Sequence, residues 1–188
     1  MMKVQMTEGQ IMKNRQYISL RIFTTSGFSL IELMIVILMV TIMAVIAAPS
    51  FIQWRQNLMY RDTGRDLVSI LREARNAAIS TNREHRVMID VDGGQYQLTR
   101  GNSSSNSTDW PGTVIRPSTA VNPGVTLRQG SDATCPSNAD VNIEFNPNGT
   151  AVNPDGSVLD IRICIQDTAA ANRYQVTINP TTGRVRMQ

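Results

Sequence analysis

The chain has 188 residues, with 18 lysines and arginines against 15 aspartates and glutamates, one histidine and two cysteines. That length allows one modest globular domain once a membrane segment is set aside, and a second full domain would be crowded. With a single histidine and no CxxC pair or His/Cys cluster, the residue supply argues against a metal centre and against a Ser/His/Asp machinery of ordinary design.

The basic excess is local. Residues 1–27 hold Lys3, Lys13, Arg15 and Arg21 against Glu8, a balance of +3; removing those four from 18 and Glu8 from 15 leaves 14 arginines and 14 acids, which cancel. Both lysines lie in this leader, and Met12-Lys13 would serve as an alternative start with the same basic character. The basic pI therefore belongs to the first 27 residues and not to the body of the chain.

Phe28 to Ala48 reads FSLIELMIVILMVTIMAVIAA, with Glu32 as its one ionisable group. As a helix rising about 1.5 Å per residue, it spans roughly 30 Å, enough to cross a hydrocarbon core. Basic residues lie on its N-terminal side, so the positive-inside rule keeps the leader cytoplasmic and exports everything after Pro49. A secretory signal puts its cleavage site after the apolar run. Here the polar leader ends in Thr25-Ser26-Gly27 and the apolar run starts at once, so a cut at that junction keeps the helix.

The stretch Gly27-Phe28-Ser29-Leu30-Ile31-Glu32-Leu33 resembles the prepilin peptidase site of type IV pilins and type II secretion pseudopilins. The resemblance implies cleavage between Gly27 and Phe28, N-methylation of Phe28, and pairing of Glu32 with the freed amine of Phe28 on the same or a neighbouring subunit. A carboxylate within a bilayer costs on the order of 2.5 to 3.5 kcal/mol, so a partner is expected; the alternative is that Glu32 snorkels to the interface. The implied partners are other pilin subunits, the prepilin peptidase and the inner membrane.

Pro49 would kink or locally open the helix, because helical spacing resumes beyond it. From Ser50 to Thr81 the apolar residues Phe51, Trp54, Leu58, Leu67, Ile70, Leu71, Ala74 and Ala78 recur at helical intervals and predict a sheet-packing half. The expected organisation is a leader at 1–27, a membrane or filament-core helix at 28–48, an amphipathic continuation at 49–82 and a periplasmic β-rich domain at 83–188.

Beyond the helix the period falls to two. Arg86–Asp92, Gly93-Gly94 and Gln95–Thr99 predict a hairpin, and Gly101–Thr108 a flexible polar loop without structure of its own. Further strands are expected at Thr113–Arg116, Val125–Arg128, Val141–Phe145, Ser157–Gln166, Arg173–Asn179 and Arg184–Met187. Along Val158–Gln166, Ile161, Ile163 and Ile165 alternate with Cys164, which should face away from the core and suit a disulfide to Cys135; the alternative is two free thiols. The fold class is α+β, a long helix on mainly antiparallel sheets. Together with the C-terminal Thr182-Gly183-Arg184-Val185-Arg186, the whole is similar to the GspH/FimT minor pilins and pseudopilins, though it lacks the C-terminal disulfide-bounded loop of major pilins.

No catalytic constellation, metal site or cofactor is expected. His85, in Arg83-Glu84-His85-Arg86, reads as a solvated helix terminus, and Asp90 and Asp92 as outward strand residues. On a strand, Arg184 and Arg186 project from one face about 7 Å apart, close to phosphate spacing along a nucleic acid. GRVR resembles the DNA-binding motif of FimT-type pilins, which implies DNA contact at these two residues. The alternative is a solvated strand face or a contact with a neighbouring subunit's acids. Arg173 is a candidate third cation.

Overall fold

In the computed structural model, which describes residues 27–110, 113–132 and 134–188, helix α1 runs Leu30–Thr81. The leader readings at residues 1–26 lie outside the described residues. Ser29 stands at the N-cap, its carbonyl accepting from the Leu33 amide at 3.2 Å. The helix is continuous through Pro49. It stops where Asn82 takes the left-handed conformation (φ 53°), a C-terminal role asparagine tolerates well.

The chain divides at Ala44/Val45 into two units, each described by itself. In the first, every described residue up to Ala44 is exposed, and the apolar stretch is long and apolar enough to cross a bilayer. In the second, the helix stays exposed as far as Leu58 and turns buried at Tyr60. Phe51 and Trp54, expected to pack on the sheet, remain 60% and 57% exposed. The apolar spacing there continues that of the preceding run, and burial among the described residues begins only at Met59 and Tyr60.

Between Tyr60 and Ala78 the buried positions are those expected of an amphipathic helix, with Leu67, Ile70, Leu71, Ala74 and Ala78 wholly enclosed. They close over two antiparallel sheets. One has the order β3-β2-β1-β5-β6, from β1 (His85–Asp90), β2 (Gln95–Arg100), β3 (Thr113–Ala120), β5 (Val141–Phe145) and β6 (Ala151–Val152). The other has the order β4-β7-β8-β9, from β4 (Thr126–Gly130), β7 (Arg162–Gln166), β8 (Asn172–Ile178) and β9 (Val185–Met187). Val87, Ile89, Leu98, Ile143, Phe145, Ile163, Ile165 and Val176 join the helix in one core. Each such side chain contributes about 1.5 to 3 kcal/mol on full burial. Gly64 lets the helix approach closely: a Cβ there would stand 2.6 Å from Met187 Sδ and 2.9 Å from Ile165 Cδ1.

Three further expectations are corrected. The Gly101–Thr108 segment is tied down: the Glu84 carboxylate accepts from the amides of Asn106 at 2.9 Å and Ser107 at 2.7 Å, and Trp110 donates to the Ser107 carbonyl at 2.8 Å. Arg86 then lies over the Trp110 ring, 4.0 Å from its centroid, and pairs with Glu144. His85 is the first residue of β1, fully buried, not a solvated helix end. Its Nδ1–H donates to the Arg83 carbonyl at 3.0 Å, and burial lowers its pKa. Cys164 does alternate away from the helix but is fully buried, because the segment carrying Cys135 folds back over β7. The two cysteines form a disulfide with Cα atoms 6.1 Å apart, and Ser137 bridges to Gln129 of β4 beside it.

Candidate functional site

The C-terminal turn is built from Asn179 to Arg184. Asn179 exchanges backbone bonds with Gly183 and Arg184 at 2.8 and 2.9 Å, and its side-chain oxygen accepts from the amide and hydroxyl of Thr182, both at 2.9 Å. Gly183 takes the left-handed conformation (φ 60°), and a Cβ on it would collide with the Gly149 carbonyl and stand 2.9 Å from Arg75 Cδ. The glycine of GRVR is therefore required by the turn itself.

From that turn β9 pairs with β8, with Ile178 opposite Val185, Thr177 opposite Arg186 and Val176 opposite Met187. Val185 enters the core, while Arg184 and Arg186 are exposed, so the expected split of faces holds. The two arginines border a groove of about 790 Å³ that also takes in Thr177, Asn179, Thr182 and Arg75. Arg75 comes from the helix and was not singled out from sequence. Its Nε donates to the Gly149 carbonyl at 3.3 Å, which anchors the guanidinium at the groove wall. A sequence signal did exist: neither Arg72 nor Arg75 has an acid three or four residues away along the helix, so neither has a local ion-pair partner.

Among the described residues the ion pairs are Arg86–Glu144, Arg116 with Asp66 and Glu73, and Arg173–Asp167. Arg75, Arg184 and Arg186 are in none of them. Arg173 is committed elsewhere, its Nη2 lying 2.7 Å from Asp167 Oδ2, and it does not border the groove. Asp167 in turn accepts from the Ala171 and Ala169 amides, and these bonds, the Ala171 one first, hold its carboxyl below the usual range. The structure thus joins Arg184 and Arg186 to Arg75 and leaves Arg173 out.

Asp90 and Asp92 serve the β1–β2 turn, accepting from the Gly93 amide at 2.6 Å and from Asn138 Nδ2 at 2.9 Å. Among the described residues no group of three His, Cys, Asp or Glu side chains is placed to hold a metal ion. Gly27, Phe28 and Glu32 are exposed.

Comparison with protein-family models gives a match over residues 63–182 to the family described as type II transport protein GspH. The chain belongs to the GspH family. The matched span covers the packed part of the helix and nearly all of the sheets, and it leaves out both the Gly27/Phe28 junction and Arg184 and Arg186. Comparison with curated proteins gives no match. Among solved structures, this GspH-family chain is similar to the minor pseudopilin EpsH of the Vibrio cholerae type 2 secretion system. The identity is 14%, 68% of this chain and 94% of that one are covered, and the TM-score is 0.47. It is also similar to the type IV minor pilin FimU of Pseudomonas aeruginosa, with 17% identity, 68% and 91% coverage and a TM-score of 0.47.

Proposed function

We propose that this chain is a minor type IV pilin: a non-catalytic subunit inserted in the inner membrane, cut by prepilin peptidase after Gly27, methylated on Phe28 and then built into a filament whose assembly it helps prime or cap. The observation that carries the reading is the contrast along α1 between an exposed apolar stretch up to Ala48 and, from Tyr60 on, a stripe buried on its own sheets. A helix apolar on every side needs lipid or other helices around it, whereas the second half already has its partner. In a helical bundle Glu32 meets the Phe28 amine of a neighbour. Replacing Glu32 with Val should leave a processed, methylated chain in the membrane fraction by mass spectrometry, yet absent from sheared filaments. Wild-type incorporation of that variant would overturn the reading.

Arg184 and Arg186, bordering one groove with Arg75 and in no ion pair among the described residues, support contact of the same subunit with extracellular DNA during uptake. Replacing both with Gln should lower DNA uptake in a strain that still makes pili; unchanged uptake would sink this part. A second reading, the GspH-type pseudopilin of a type II secretion machine, is favoured by the description of the matching family. Deletion separates the two, since it would abolish export of a folded protein in one case and piliation in the other.

A further inference from the structure

The basic groove does not end at the sheet. On the other side of β9, the exposed face of α1 and Met187 border a second groove of about 930 Å³, whose walls include Arg65, Ser69, Arg72 and Asn76. These four side chains stand at intervals of four, three and four residues, which places them on one helical stripe. Arg72 reaches across to the edge strand, its Nη2 donating to the Val185 carbonyl at 3.3 Å, and Arg65 and Arg72 are both exposed. Glu73 is the one acid on this wall, and it lies 3.7 Å from Arg116 of β3. Asp66, next along the helix, is bonded by Tyr96 and lies 3.8 Å from Arg116. Asp66 and Glu73 are thus engaged by the five-stranded sheet, while Arg72 and Arg75 meet β9 and its turn; Arg65, one helical stripe further on, shares the groove with Met187 and also borders Asp62 and Asp66 on its other side.

We infer that Arg65 and Arg72 extend the arginine pair of β9 into a continuous cationic stripe, running Arg186, Arg184, Arg75, Arg72, Arg65 around the edge of the four-stranded sheet, that tracks the phosphodiester backbone of a nucleic acid. This rests on the DNA reading above and deepens it. Five of the 14 arginines that remain beyond the leader collect here, although residues 28–188 balance to zero. Two arginines alone neutralise too few phosphates for appreciable affinity, whereas five give a salt exponent of roughly −4.5 on duplex DNA. Ser69, Asn76, Thr177 and Thr182 between the arginines supply neutral donors for phosphate oxygens.

The test uses the full mature chain in zwitterionic detergent and a fluorescent 30-base-pair duplex, with anisotropy measured from 50 to 200 mM salt. For five contacts the affinity falls roughly 500-fold over that range, and Arg65→Gln with Arg72→Gln should cut the fall to roughly 40-fold by removing two phosphate contacts. Arg72→Lys, which keeps the charge, should retain the wild-type slope and guards against a folding defect in the double variant. If the Arg65/Arg72 variant keeps wild-type affinity and slope while Arg184→Gln with Arg186→Gln loses both, the stripe is overturned and the DNA reading stands. If wild type does not bind the duplex, both fall. Equal binding of polyglutamate and duplex would overturn the nucleic-acid assignment in favour of an acidic protein partner.

Discussion

Replacing Gly183 with Ala isolates the geometry on which the C-terminal arginines depend. Gly183 holds φ 60°, and an added Cβ would meet the Gly149 carbonyl and the Arg75 side chain. The left-handed conformation costs a non-glycine residue about 1 to 2 kcal/mol. Crowding against a fixed backbone oxygen adds about 1 to 3 kcal/mol, and the sum is about 2 to 4 kcal/mol with part of the clash relieved by movement of Arg75. For a chain of this size the melting temperature should fall by about 5 to 15 °C. Near-UV circular dichroism of residues 28–188 in detergent, followed through thermal unfolding, reports the packing of the buried Tyr60, Tyr96 and Phe145. Gly183→Asn separates the two contributions, since asparagine tolerates the conformation but still carries a Cβ. An Ala variant within 0.5 kcal/mol of wild type would refute the steric account.

Reducing the Cys135–Cys164 disulfide, or replacing both cysteines with Ala, should cost about 3 to 4 kcal/mol for the loop it closes in the chain-entropy model, measured by urea unfolding with and without reductant. Arg86→Met leaves the buried Glu144 carboxylate without its cation and should cost about 3 to 5 kcal/mol, with Glu144→Gln in the same chain restoring part of it in a double-mutant cycle. Burial lowers the pKa of His85, so the unfolded chain binds a proton that the folded chain refuses; stability is complete above the ordinary histidine range and falls as pH drops below about 6.5, by up to 1.36 kcal/mol per unit. The melting temperature of wild type minus that of His85→Gln should fall as pH is lowered from 7.5 to 5.5, and a flat difference would contradict it.

Much of the fold was legible because two periods alternate cleanly. Val141–Phe145 was placed residue for residue and most other strands to within two residues, but the expected Ser157–Gln166 is strand only from Arg162, and Thr113–Arg116 runs on to Ala120. Burial was harder to read than element type. Phe51 and Trp54 carry a helical stripe that stays exposed among the described residues, and local pattern does not say where the underlying sheet begins. Cys164 alternates as expected, but only the return of the Cys135 segment turns an outer face into an inner one. His85 hid in a run of charges, and its burial follows from where Asn82 reverses the chain and so fixes the parity of β1. The two-residue strand β6 is too short to show a period at all. At the site, GRVR was readable as a strand with two arginines outward, since alternation needs only the next residue. Arg75 was not, because its place beside them depends on a contact 74 residues away in sequence, with Gly149.

The bridge between Cys135 and Cys164 also bears on mechanics. A subunit drawn into a filament and pulled through its helix lengthens as its strands peel apart, each freed residue adding up to about 3.3 to 3.6 Å. The crosslink spans a separation of 29 residues and holds its ends 6.1 Å apart. The segment containing β5 and β6 is thus withheld from any extension, which shortens the fully drawn subunit by roughly 90 to 100 Å relative to its reduced form. Oxidised subunits should therefore show a correspondingly shorter contour-length step when unfolded by force, making the thiol state a setting of how far the fibre can give before its chains run out.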